Sequence, residues 1–366
     1  MIRTLHKYIS LSFVALWILQ AVTGVLLVFH WELDDLSLGR ASPTFDLAAF
    51  GKSIDALRAS HAHGTPTGVY SGGGLPGFYD VIVDRPQGHS DVLRVDGVGH
   101  ILRLRPWDHD YLHVGPFQIA TYLHQTLFAH DLGKWIIGLS GMILLSNLIL
   151  GIKLALPRPG FWRKTLVPKS GKTPAITLFA WHRAVGLWLV VPAFIVISAG
   201  VMMAFENPLA GWFDNARPDP PAAVASKEPA RATPVGTAEA IATALRLHPG
   251  AYMTGVDLPD KDTPWYHVEL RTPGEWRRVS GRTYVYVSSR SGRVLADYDA
   301  MKMPLRTRFW DGLYAVHAGE GGRWVTRVLA ELIGTWLATM LVLGVSLWSA
   351  RRNPRRTQPN RAKMSA

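Results

Sequence analysis

Four histidines in this chain are spaced so that they fall into two pairs. His6 lies in "TLHKYISLSFVALWILQAVTGVLLVF" and His182 in "FAWHRAVGLWLVVPAFIVISAGVMMAF", and subtracting 176 from the second stretch superimposes them. The same shift carries Arg183 onto Lys7, Gly200 onto Gly24 and Phe205 onto Phe29. A second offset, of 193, places His317 on His124, Gly334 on Gly141 and Gly344 on Gly151. An internal repeat of this kind means that one architecture is written twice. A single histidine at the edge of an apolar run reads as an interfacial residue. Four of them, two at one end of the runs and two at the other, point to chemistry. A neutral imidazole is a strong axial ligand for haem iron, and two from facing helices hold a b-type haem without covalent attachment.

The chain has no cysteine. Disulfides, iron–sulfur ligation and Cys-x-x-Cys-His attachment of haem are therefore excluded, and any redox centre needs other ligands. The expected arrangement is two bis-histidine haem b groups, an inner one between His6 and His182 and an outer one between His124 and His317. His130 competes with His124 in "YLHQTLFAHDLGKW", and the repeat register selects His124. His30, at the outer end of the first apolar run, is a further candidate.

Four apolar runs must position these residues, at about 8–29, 135–156, 184–205 and 328–348. Each is close to the ~20 residues needed to cross ~30 Å of hydrocarbon at 1.5 Å per residue. The first is too long for a signal-peptide core and no small-x-small cleavage site follows it, so it is expected to be retained. His6 to Gly24 and His182 to Gly200 are both 18 residues, five turns of helix, so each glycine shares its histidine's face and permits close helix approach. Lys153 is expected to snorkel to the nearer surface. Glu331 is expected to pair with Arg327, one turn earlier.

The formal charge of +12 is unevenly spread. Arg3 and Lys7, the loop 157–175 and the tail 350–366 together carry 13 of the 39 basic residues and none of the 27 acidic ones, so the remainder is balanced to within one charge. Basic excess confined to alternate short loops is the positive-inside pattern. Both termini and the 157–175 loop are expected in the cytoplasm, with the long connections, about 30–120 and 206–315, outside. The distribution argues against a nucleic-acid-binding domain.

The first outside segment reads as a helix, "FDLAAFGKSIDALRASH", a strand, "GFYDVIVD", and a hairpin, "DVLRVDGVGHILRLRP". The second has a Pro/Ala-rich linker, a helix "GTAEAIATALRLH", and strands "YHVELRT", "WRRVSG" and "TYVYVSSRSGRVLADYD". The expected fold is an α-helical membrane protein with four transmembrane helices in two pseudo-repeats and two small α+β modules. The corresponding division is helix 1 over 1–30, module 1 over 31–119, helix 2 with an outer extension over 120–156 and a cytoplasmic loop over 157–178. Helix 3 follows over 179–206, then linker and module 2 over 207–311, helix 4 with its extension over 312–349, and a basic tail over 350–366.

With histidines at "LHKY", "LHQT", "WHRAVGLW" and "VHAG", the chain resembles the PepSY-associated transmembrane family from residue 1 to about 352. "YVYVSSRSGRVL" looks like the end of a PepSY module, and "LHQTLFAHDLGKWIIGLSG" is similar to the family's second span. The resemblance implies a multi-pass protein of the bacterial inner membrane with PepSY-like modules in the periplasm. Several members are di-haem reductases of ferric siderophores, so it implies an oxidoreductase that passes electrons to a periplasmic ferric siderophore. Ferrous iron, once formed, is held poorly by hard oxygen chelators. No Gly-x-Gly-x-x-Gly fingerprint follows a strand on the cytoplasmic side, so a quinol or a separate cytoplasmic reductase is the expected electron donor. Trp107, His109, Tyr111 and His113, with His30 and Trp31, are expected to floor a substrate cleft beneath the modules, beside Arg103 and Arg105. Two other readings compete: a cytochrome b subunit serving a partner protein or copper, and a non-redox PepSY protein that binds peptides or restrains a protease.

Overall fold

The computed structural model describes residues 1–38, 44–86, 88–107, 110, 113–213, 231 and 233–352. Most of the Pro/Ala-rich linker and the end of the basic tail lie outside the described residues. In chain order the first half contains α1 (Ile2–Val28), α2 (His30–Asp35), α3 (Leu47–Ser60), β1 (Thr65–Ser71), β2 (Phe78–Asp84), β3 (Ser90–Asp96), β4 (Ile101–Pro106), α4 (Pro116–Gln125) and α5 (His130–Ala155). The second half contains α6 (Trp162–Leu166), α7 (Pro174–Trp188), α8 (Val190–Ala204), α9 (Glu206–Phe213), α10 (Thr237–Leu247), β5 (Tyr252–Asp257), β6 (Trp265–Arg271), β7 (Thr283–Ser288), β8 (Val294–Tyr298), α11 (Leu305–His317) and α12 (Arg323–Arg352).

The apolar runs become helices because, in hydrocarbon, a helix satisfies its own backbone. By length and composition α1, α5 and α12 are each able to cross a membrane. The third run, expected as one helix over 179–206, is instead two helices, α7 and α8, bent by 64° at Leu189. Pro192 accounts for the break. It has no N–H, and its ring meets the carbonyl four residues earlier, which belongs to Trp188, the last residue of α7. Counting the bent pair as one span gives four crossings. The helices pack around Trp17, Val185, Ala193, Ile333, Trp336 and Leu341.

The outer extensions expected on spans 2 and 4 are separate helices. Between α4 and α5 the chain turns through Leu127, Phe128 and His130, all at positive φ. Gly133 makes this turn possible, because the Thr126 carbonyl occupies the space where its Cβ would stand. Between α11 and α12, Gly319 takes a left-handed φ of 74°, and the Thr326 hydroxyl accepts the Gly322 N–H at 2.8 Å. The breaks free α4 to pack on α1 and α11 on α8.

The two modules, expected as separate inserts, share one antiparallel sheet in the order β4-β3-β2-β1-β5-β6-β7-β8. The halves join where β1 meets β5, with Gly68 opposite Asp257, Val69 opposite Val256 and Tyr70 opposite Gly255. The Tyr70 ring covers both Gly68 and Gly255, where any side chain would collide with it. Neither joining strand was anticipated, and "WRRVSG" is a loop rather than a strand. α3 and α10 lie together on one face, with Gly51 allowing Ala238 to approach, and they bury Phe50, Ile54, Val69, Ile241 and Val256 at 0 % exposure.

The opposite face of the sheet is tied to one end of the helical bundle. Arg94 on β3 pairs with the fully buried Asp35 of α2 and with Asp80 at 2.7 Å. Burial pushes the Asp35 carboxyl up and Arg94 opposes that shift. Arg103 and Arg105 on β4 both reach Asp34 of α2, and Arg282 reaches Asp311 of α11 at 3.2 Å. The bundle therefore has a sheet side and a far side.

Two histidine pairs at opposite ends of the bundle

His6 occupies the second turn of α1 and His182 the middle of α7, and their ring centroids are 6.4 Å apart on the far side. His124 is near the end of α4 and His317 ends α11, and their centroids are 6.0 Å apart on the sheet side. The 18 residues from His6 to Gly24 put the two levels about 27 Å apart along α1 at 1.5 Å per residue.

Each imidazole rests against a glycine of a neighbouring helix. A Cβ on Gly24 would meet His124 Cε1 at 3.1 Å, and one on Gly200 would meet His317 Cε1 at 2.6 Å. On the far side, Gly151 faces His6 Cε1 at 3.3 Å and Gly344 faces His182 Cε1 at 3.4 Å. The glycines that align under the two offsets thus make room for imidazoles from other elements rather than only for helix backbones. Gly141 and Gly334 do serve helix packing, against Val201 and Val25, at 2.6 Å each.

A carbonyl four residues before each glycine completes the seat. His317 Nδ1 donates to the Val196 carbonyl at 2.9 Å and His6 Nδ1 to the Asn147 carbonyl at 3.2 Å. The Gln20 carbonyl faces His124, whose Nδ1 also lies 3.1 Å from the Thr23 hydroxyl. The Met340 carbonyl approaches His182 from the corresponding direction, but His182 Nδ1 makes no hydrogen bond of normal geometry. A hydrogen bond from Nδ1 fixes the tautomer and leaves Nε2 as the atom with a free lone pair. Among the described residues, no three or more His, Cys, Asp or Glu side chains form a metal-holding group. Each pair offers two imidazoles and nothing else.

The chain matches the PepSY-associated TM region over residues 3–351 of its 366. The chain belongs to that family. No curated protein gives a significant match. Membership makes it a transmembrane protein, and the helices able to cross a bilayer agree with this.

The remaining candidates are distributed around the sheet side. His130 is exposed at the start of α5, away from the facing rings of His124 and His317. His30 begins α2, donates from Nδ1 to the Leu27 carbonyl at 2.5 Å and lies 4.4 Å from the Trp31 ring. His30, Trp31, Arg103, Arg105 and Trp107 line one cavity of 150 Å³, together with Phe117. Phe117 is seven residues, two turns, before His124 on α4, so the cavity lies about 10 Å above the sheet-side pair. His113 is exposed and bonded to Asp110 at 2.6 Å, outside that lining. His109 and Tyr111 lie outside the described residues.

Two features were missed. Arg327 does not pair with Glu331. Its guanidinium grips Glu32 of α2 at 2.6 and 2.7 Å and the Val28 carbonyl at 2.6 Å, which leaves Glu331 Oε2 buried without a partner. The second is a cavity of 520 Å³ lined by Arg271, Arg278, Glu320, Gly321, Trp324 and Arg327. Its Arg278 belongs to the loop misread as a strand, so the sequence carried no sign that these residues meet.

Proposed function

We propose that the protein is a di-haem b electron carrier of the bacterial inner membrane that reduces a ferric siderophore in the periplasm and so releases ferrous iron. The observation that carries this reading is the spacing of the two imidazole pairs. A metal–imidazole bond is about 2.0–2.1 Å and the ring centre lies about 1.1 Å further, so two imidazoles held by one ion from opposing helices have centroids about 6.2–6.4 Å apart. The distances of 6.4 and 6.0 Å match it. Two imidazoles alone do not complete a metal's coordination shell, so the ion must bring its own equatorial ligands, as haem iron does.

The cradles support the same fit. Glycines beside all four rings leave space that a Cβ would fill, and Nδ1 of His6 and His317 is engaged by a carbonyl. His6 and His182 would hold one haem, and His124 and His317 the other. Haem held at each level would supply one-electron transfer at two depths about 27 Å apart. The protein's own part is to fix tautomer and ring position, and to keep the bundle interior dry.

Orientation rests on charge. The basic loop 157–175 and the basic tail support a cytoplasmic far side; on this reading the sheet is periplasmic and electrons enter from a quinol or a cytoplasmic reductase. The test is spectroscopic and kinetic. The purified protein should show a Soret band with sharp reduced α-bands, and dithionite-reduced protein should reoxidise on addition of a ferric siderophore. A colourless preparation would refute the redox reading; a reduced protein that no ferric chelate reoxidises would refute the choice of acceptor.

A further inference from the structure

The cavity of 520 Å³ is walled by the sheet on one side and the head of span 4 on the other. Arg271 ends β6, Arg278 follows in the loop after it, and Glu320, Gly321, Trp324 and Arg327 stand at the head of span 4. Glu320 is three residues beyond His317. The cavity falls within the range of roughly 300–1,000 Å³ usual for small-molecule sites. The cleft under Trp31 and Trp107, at 150 Å³, is well below it.

Two of the lining side chains hold unused hydrogen-bonding groups. Glu320 is 5 % exposed; its Oε2 accepts the Arg278 backbone N–H at 3.0 Å, while Oε1 is buried without a partner. The Arg278 Nη1 lies 3.3 Å from Glu32, but its Nε and Nη2 are buried and bond nothing. The Trp31 ring backs this guanidinium at 5.5 Å, which fixes its direction. Arg327 is occupied by Glu32 and the Val28 carbonyl, and Arg271 by the carbonyls of Arg277 and Glu275. Buried polar groups without partners are rare in folded proteins and mark places where water or a ligand belongs. Three guanidiniums face one carboxylate on this wall, and burial holds that carboxyl above its usual range.

We propose that this cavity binds the acceptor as an anionic iron chelate with catecholate or carboxylate oxygens, which accept from Arg278 Nε and Nη2. The proposal rests on the reading of the protein as a ferric-chelate reductase and moves the substrate site from the Trp107 cleft to the Arg278 cavity. Arg278 suits the role because a guanidinium edge donates two parallel hydrogen bonds to paired oxygens.

The test uses full-length protein in detergent and the trianionic tris-catecholate complex of gallium(III), which has the ferric charge but takes no electron. Calorimetric titration should show binding that weakens by about ten-fold or more in Arg278→Gln, the loss of a charge-assisted bond. Arg105→Gln, in the smaller cleft, should bind as the parent does, and a neutral gallium tris-hydroxamate should bind at least about ten-fold more weakly than the trianion. Arg278→Lys, which keeps the charge, should recover part of the affinity. Unchanged binding in Arg278→Gln, loss in Arg105→Gln, or no binding by the parent would overturn the site. Competition that weakens trianion binding about ten-fold in nanodiscs of anionic lipid would assign the cavity to a headgroup instead, and would also overturn it. Binding is read without electron transfer, so the two failures separate. A protein without haem that binds the trianion refutes the proposed function, whereas a haem protein that does not bind it refutes this site alone.

Discussion

Gly24 lies against the imidazole of His124, so closely that a Cβ on residue 24 would stand 3.1 Å from the ring's Cε1. The corresponding contact between Gly200 and His317 is tighter, at 2.6 Å. Gly200→Ala should therefore push His317 from its seat, at an overpacking cost of about 1–3 kcal/mol, and lower the haem-to-protein ratio by about half. Gly334→Ala is the control, because its Cβ would meet Val25 rather than a histidine. It should lower thermal stability and leave the spectrum unchanged. Equal spectral effects from the two variants would separate the glycines from any cofactor role.

Single substitutions of the four histidines should sort by level. His6→Ala and His182→Ala should each remove one haem of two, and His124→Ala and His317→Ala the other, with distinct reduced α-bands lost in the two groups. His130→Ala should retain both, since His130 is exposed at the start of α5. Haem quantification of the five purified variants checks this, and loss of haem in His130→Ala would transfer the sheet-side site to that residue.

Much of this arrangement can be read from the residues, and what cannot has identifiable causes. α1, α5 and α12 follow from uninterrupted apolar runs, and α3, α10 and the hairpins β3–β4 and β7–β8 from their periodicity. The facing of His6 with His182 and of His124 with His317 follows from the two repeat offsets alone. β1 and β5 escape notice because they are the two central strands. β5 is buried on both faces from Met253 to Val256 and β1 only in part; neither "TPTGVYS" nor "YMTGVD" shows clean alternation, and each carries a glycine that reads as a turn. Missing them hides the join between the modules. Arg327 has an acid one turn away in sequence and another on a different span, and only packing decides that Glu32 takes it. The glycine seats have a sequence signal, the glycine of one span matched to the histidine of another, but their depth in the bundle is needed to pair them.

Arg327 links α12 to α2 through Glu32 and to α1 through the Val28 carbonyl. Without Arg327 the partly exposed Glu32 keeps only Arg278 Nη1, at 3.3 Å, so Arg327→Ala should destabilise by about 1–3 kcal/mol, the cost of losing hydrogen bonds to a charged group. Adding Glu32→Gln to that variant should cost little more. Thermal unfolding in detergent of the two single variants and the double variant measures the coupling, and strictly additive effects would mean that the pair is not formed.

Glu320 gives a pH dependence of predictable sign. Burial holds its carboxyl above the usual carboxylate range, so folding favours the neutral form. The contribution is complete below the ordinary carboxylate pKa and is lost as pH rises through the raised value. Glu320→Gln keeps an acceptor for the Arg278 N–H and removes the titration. The unfolding midpoint of the variant should gain on that of the parent between about pH 4 and pH 8. A constant difference across that range would show that Glu320 is ionised throughout.

Whether each histidine pair holds one haem is read from the haem content of the purified full-length protein, measured as the pyridine haemochrome against protein concentration from amino-acid analysis. Two b-type haems per chain are expected, both low-spin with two imidazole ligands. A chain that purifies folded and without haem, and takes up none when haem is added, would contradict that expectation.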